Sequence, residues 1–129
     1  MSRSRGNLEQ QAADFEVSRS RLLEALRLAA ASPDEQMSAL PGFVVIYDEI
    51  AQSYYDAFQH ASRLRESRRL NDLQFAALAA LDQLYEEMTT APDRERLWSL
   101  EAMKHDDRWK KSRELAKQAL SLLGEGPLA

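Results

Sequence analysis

The sequence predicts an all-α protein, a compact single-domain bundle of four longer helices plus one or two short helices. Three observations carry this expectation. Apolar residues recur at intervals of three and four over most of the chain, the spacing of a helix face. Several of these stripes follow a capping signal, Ser, Asn or Asp, with Glu or Gln often three residues on. With 4 Gly and 4 Pro in 129 residues, the chain has little of the turn chemistry that many short strands require.

A first helix is expected from about Asn7 to Ala31, with Asn7 and Gln10 forming a capping box. Its inward stripe is Leu8, Ala12, Phe15, Leu22, Leu26 and Ala29. Ser32-Pro33-Asp34-Glu35 is a second start signal, and Pro41-Gly42 stops the short helix that follows. The stretch from Phe43 to Ser67 predicts one long helix. FVVIY alone would suit a strand, yet the stripe Phe43, Ile46, Tyr47, Ile50, Tyr54, Ala57, Phe58, Ala61 and Leu64 keeps helical spacing. Asn71 and Gln74 form another capping box, with Leu70 and Phe75 as a hydrophobic staple. The helix they open turns Leu73, Ala77, Ala80, Leu81, Leu84, Tyr85 and Met88 inward and ends near Pro92. One or two short helical turns follow before a last helix from Arg108 to Leu123, capped by Asp106 or Asp107. Its inward residues are Trp109, Leu115, Ala116, Ala119, Leu120 and Leu123, and Gly124 stands where helices commonly end left-handed. Both tryptophans are read as core anchors.

The expected organisation is a flexible tail over residues 1–6, a helical domain over 7–124 and a flexible tail over 125–129. The absence of cysteine excludes disulfides, thiolate metal sites and cysteine nucleophiles. The opening MSRSRGNLEQ lacks the apolar stretch of a secretory signal. No apolar run, Phe43 to Tyr47 included, approaches the roughly 18–20 residues a membrane span needs. A cytoplasmic protein is expected.

Catalytic motifs are missing. There is no G-x-S-x-G elbow and no glycine-rich phosphate loop. Asp56 and His60, four apart, could share a helix face and offer a metal two ligands, with His105-Asp106-Asp107 from elsewhere. The Glu-x-x-His pairing of di-metal bundles is absent, however, and two histidines cannot build a three-histidine site. Asp48-Glu49, Glu86-Glu87 and Asp106-Asp107 are adjacent acids, which point about 100° apart on a helix and read as solvated rather than as an acid–base pair. Arg63, Arg65, Arg68 and Arg69 read as cations complementing a helix C-terminus. The expectation is a protein that is not an enzyme and has no metal and no cofactor.

Charge layout points to a surface instead. The net charge is −4 at a pI near 5.2, which argues against a nucleic-acid partner. Residues 33–62 hold five acids and no Lys or Arg, and residues 73–107 hold eight acids against three cations. Asp48, Gln52, Tyr55 and Gln59 share a helix face off the apolar stripe, flanked by Glu49, Ser53 and Asp56. An outward tyrosine among acids suits a protein interface, since Tyr is a favoured anchor and acids steer a basic partner. The same pattern also fits an incidental half-exposed tyrosine on a solvated helix. The candidate partner-binding residues are Asp48, Glu49, Gln52, Tyr55 and Asp56, with Glu86 and Glu87 as a second group.

Residues 70–124 carry a further pattern. Tyr85-Glu86-Glu87-Met88 ends a helix in acids and Met, Leu97-Trp98 precedes a short helix, and the last helix opens on Trp109 and continues through Arg113, Ala116, Ala119 and Leu120. This stretch resembles small bacterial immunity proteins of polymorphic-toxin systems. The resemblance implies a cytosolic helical inhibitor that binds a cognate, basic toxin domain and blocks it without catalysis of its own. An analogy with colicin-type nuclease inhibitors, which use a tyrosine pair and carboxylates, points to Tyr54-Tyr55 with Asp56. The alternative is a structural or regulatory bundle that self-associates as a homodimer through an apolar helix face. Neither reading involves a membrane.

Overall fold

The computed structural model describes residues 5–124, of which Arg5 is placed by its backbone alone. Among the described residues eight helical segments follow one another: α1 (Arg5–Ala30), α2 (Pro33–Ala39), α3 (Ile46–Phe58), α4 (Ala61–Glu66), α5 (Asp72–Thr89), α6 (Arg94–Leu97), α7 (Leu100–His105) and α8 (Asp107–Leu122). Among the described residues there is no strand. The four longer helices close a ring in which α1 packs on α8, α8 on α5, α5 on α3 and α3 on α1. The α3–α5 side of the ring is the least extensively packed of the four, and the candidate site opens there.

Local chemistry explains most boundaries. Ser32 caps α2 through its Oγ, which accepts from Glu35 N at 3.2 Å, while Glu35 reaches back to Ser32 N. The Asn71–Gln74 box at α5 closes in the same way, at 2.7 and 2.8 Å. Asp106 opens α8 by accepting from Arg108 N. Gly124 takes φ 78°, as its place after the last helix predicts. Gln36, almost wholly buried, donates its amide to the Leu28 and Ala29 carbonyls and so closes the last turn of α1.

Several expectations are corrected. The first helix begins at Arg5, so Arg5 and Gly6 belong to it and not to a tail. Residues 1–4 and 125–129, the rest of the expected tails, lie outside the described residues. Asn7 lies inside the helix and is no cap, and Gln10 donates to Asp14 instead. The first half of α1 packs little: Leu8 is 67% exposed and Ala12 is exposed, so the buried stripe starts at the half-buried Phe15. The long helix expected from Phe43 is two helices. Phe43 itself is 88% exposed, ahead of α3, and the chain breaks at Gln59-His60. There Gln59 N still reaches Tyr55 O, but His60 N bonds Ala57 O, a tightened last turn after which α4 restarts. In α5, Leu73 and Ala80 face solvent, and Leu78 is the buried residue that the stripe omitted.

The core is tied by six aromatic rings standing in series. Phe75, Phe58, Tyr54, Tyr85, Trp109 and Trp98 have successive centroids 5.8, 5.9, 5.9, 6.2 and 5.1 Å apart. Three of their four polar atoms donate across helices. Tyr54 Oη donates to Leu78 O at 2.6 Å, Trp109 Nε1 to Leu97 O at 2.9 Å, and Trp98 Nε1 to Met88 O at 2.9 Å. Burial pushes both tyrosine hydroxyls above their ordinary range. Among the described residues, buried Tyr85 Oη has no hydrogen-bond partner; the Ser112 hydroxyl beside it spends its own proton on Trp109 O.

Arg68 holds the one positive φ among the described non-glycine residues, 65°. Arg69 N reaches Leu64 O at 2.8 Å and Arg68 N reaches Arg65 O at 3.0 Å, the paired bonds of a Schellman motif with Arg68 at the position that favours glycine. Arg68→Gly is therefore expected to stabilise the fold by roughly 0.5–1 kcal/mol, because the left-handed cost of an L side chain exceeds the entropy glycine adds to the unfolded chain. Thermal unfolding of the variant measures it; a lower midpoint would contradict the assignment.

At the opposite end, Arg108 joins α6 to α8. Its guanidinium donates two parallel bonds to Asp93, at 2.9 and 2.7 Å, and also holds Asp106. Arg96 adds a third bond to Asp93. These donors hold Asp93 far below, and Asp106 below, the ordinary carboxylate range. A carboxyl depressed in the fold contributes stability above its unfolded value, about pH 3.9, and loses it as the pH falls toward the folded value. The melting midpoint is expected to fall below about pH 4, and Arg108→Ala to make that acid-side fall shallower while lowering the plateau. A parallel fall in both proteins would contradict this.

Candidate functional site

A groove of about 970 Å³ lies along the α3–α5 seam, with α6 completing its wall. Its size falls at the upper end of the range for small-molecule sites, roughly 300–1,000 Å³, and suits a segment better than a single ion. The helix period places the lining. Asp48, Gln52 and Tyr55 recur at four and three on α3, while Asp82, Glu86 and Thr89 do so on α5. The seam thus sets one acidic helix face opposite another. Glu49 stands beside Asp48 and takes a hydrogen bond from Ser53 Oγ at 3.2 Å.

Five of the seven sequence candidates meet in this groove: Asp48, Glu49, Gln52, Tyr55 and Glu86. Two do not line it. Asp56 accepts from Gln52 Nε2 at 3.0 Å and borders a separate hollow with Arg21, Glu24 and His60. Glu87 is exposed and accepts from Gln83. Tyr54 is wholly buried and bonded to Leu78, so it offers no tyrosine pair to a partner, while Tyr55 is 54% exposed. Adjacent helix positions point about 100° apart, which puts one ring in the core and the other at the surface.

Sequence reasoning missed Asp82, Arg94 and Trp98 as lining residues. Asp82 is four before Glu86 and so shares its face, a legible signal. Trp98 carried a core reading, and its half-buried ring serves both roles. Its N–H is spent on Met88 O and its edge packs on Trp109, while the same side chain lines the groove.

The electrostatics are unbalanced. The lining holds four carboxylates, Asp48, Glu49, Asp82 and Glu86, against the single guanidinium of Arg94. Partial burial, and then the neighbouring charge of Glu86, raise the Asp82 carboxyl above its ordinary value. Among the described residues the lining therefore carries a surplus of anionic charge, the electrostatic condition for attracting a cation. Among the described residues no group of three or more His, Asp or Glu side chains is gathered closely enough to hold a metal ion, Asp56 and His60 included. Nor is any described helix long and apolar enough to cross a membrane.

In comparisons with protein-family models, curated proteins and solved structures, nothing matches the chain.

Proposed function

We propose that this chain is a non-catalytic protein-binding domain, an immunity-type inhibitor that neutralises a cognate bacterial toxin by occluding it with its acidic groove. One observation carries the reading: the fold brings the acidic faces of α3 and α5 together around exposed Tyr55 and half-buried Trp98. Aromatic anchors within a charged, concave surface have the composition of an interface hot spot. The resemblance of residues 70–124 to immunity proteins supplies the partner class, a basic toxin domain met in the cytoplasm.

The test is protection in cells. A candidate basic toxin domain encoded beside this chain is co-expressed with the wild-type chain, with Glu49→Lys/Glu86→Lys, and with Glu101→Lys as a control outside the groove. Survival is expected with the wild type and the control, and death with the groove variant. Equal protection by all three would overturn the reading.

Self-association has one observation of its own, the exposed Leu8 and Ala12, four apart on one face of α1. A dimer that survives high salt in sedimentation and is lost in Leu8→Lys/Ala12→Lys would favour it.

A further inference from the structure

Resting on that reading of the groove, we infer that its occupant is an arginine side chain of a basic protein segment, with the guanidinium held between the α3 and α5 acids and flanked by Tyr55 and Trp98.

The choice of arginine follows from the lining. A compact metal ion requires ligands converging on one point, and the carboxylates are not gathered that closely. They are distributed along two helices, so the matching cation must offer donors in several directions. A guanidinium does so through five N–H groups in a fixed plane, whereas an ammonium is a compact charge. Asp82 and Glu86, four apart on α5, present two acceptors on one wall; Asp48 and the Gln52 side-chain oxygen present two more from α3.

The aromatic component points the same way. A planar guanidinium stacks on aromatic faces, and both Tyr55 and Trp98 line the groove. The protein already uses this contact elsewhere, with Arg69 4.1 Å from the Phe15 ring centroid and Arg65 4.8 Å from that of Phe75. The groove is much larger than one side chain, which leaves room for the residues on either side of the arginine. The seam exists because α3 and α5 pack less extensively than the other neighbouring helices of the ring, so entry requires no opening of the core.

The experiment uses the full chain, labelled with nitrogen-15, and three blocked pentapeptides, Gly-Leu-Arg-Leu-Gly and its lysine and citrulline counterparts. Citrulline keeps the shape of arginine and removes the charge. The arginine peptide is expected to shift the amide signals of residues 48–55 and 82–90 and the Trp98 indole N–H. It should bind at least about fivefold more tightly than the lysine peptide and at least about tenfold more tightly than the citrulline peptide. Asp82→Asn/Glu86→Gln should weaken the arginine peptide at least about tenfold with unchanged dispersion of the remaining signals. Shifts confined to another surface, equal affinity for all three peptides, or full affinity in the double variant would overturn the inference. Failure here combined with loss of protection in Glu49→Lys/Glu86→Lys would leave the groove as the inhibitory surface and remove only arginine as its key. Arginine-selective binding combined with full protection by that variant would do the reverse.

Discussion

Trp109→Ala is expected to destabilise the domain by about 3–5 kcal/mol, the range for deleting a large buried aromatic side chain. Trp109 is fully buried, packs against both Tyr85 and Trp98, and donates its indole N–H to Leu97 O. Removing it opens a cavity where α5, α6 and α8 meet and leaves that carbonyl without its donor. Domains of this size are stable by roughly 5–15 kcal/mol, so the loss runs from about a fifth of the total to all of it. The melting midpoint should fall by about 10–20 °C. Trp109→Phe, which keeps a ring and loses the hydrogen bond, should retain more than half of the difference. Circular dichroism melts of the three proteins measure this; a loss below about 1 kcal/mol in Trp109→Ala would mean that the aromatic series does not hold the bundle.

The second large effect belongs to the groove and has the opposite stability signature. Glu49→Lys/Glu86→Lys should weaken the partner complex at least about 100-fold, close to 2.7 kcal/mol, because two attractive charges become repulsive. The fold itself should not suffer. Asp82 is raised by burial and by Glu86, which means that its charged form is disfavoured in the folded state above its raised value. A lysine at position 86 removes that repulsion, which offsets what Glu49→Lys loses at the first turn of α3 and in its bond from Ser53, so the melting midpoint at pH 7 should change little. A residue that matters for binding and costs stability is the signature of a surface kept for a partner. A fall in both affinity and midpoint would indicate a structural role for these acids.

The two predictions divide the molecule as the sequence divides it. The residues that fold the chain were mostly legible because their signals are local. Ser32, Asn71 and Asp106 announce their helices through backbone hydrogen bonds made within three residues, and Gly124 announces an end through its φ. The break at Gln59-His60 carried no such signal. Ala57, Ala61 and Leu64 keep the helical interval across it, and neither proline nor glycine marks the spot. Asn7 shows the converse, a capping pattern overruled by a helix that begins earlier. Phe43 extends the stripe on paper, but it precedes the first turn of α3, so periodicity has no meaning there.

The candidate site was legible in halves. The off-stripe position of Tyr55 and the acids around it could be read from α3 alone, and Glu86 from α5 alone. Their meeting is a tertiary fact, set by how α3 closes the ring against α5. The sequence placed Tyr54 in the core stripe while an analogy drew it toward the surface; its bond to Leu78 O settles it in the core. Asp56 was grouped with the patch by proximity in the chain, yet one further step around the helix carries it to the hollow beside His60.

The most direct measurement of the proposed function is the affinity of the purified chain for a purified basic toxin domain encoded beside it, if its gene neighbourhood holds one, by titration calorimetry, with the wild type and with Glu49→Lys/Glu86→Lys. A salt-sensitive complex that weakens at least about 100-fold in the variant, with the melting midpoint preserved, is the predicted result. Equal affinity in both proteins would contradict the acidic groove as the surface through which this domain acts.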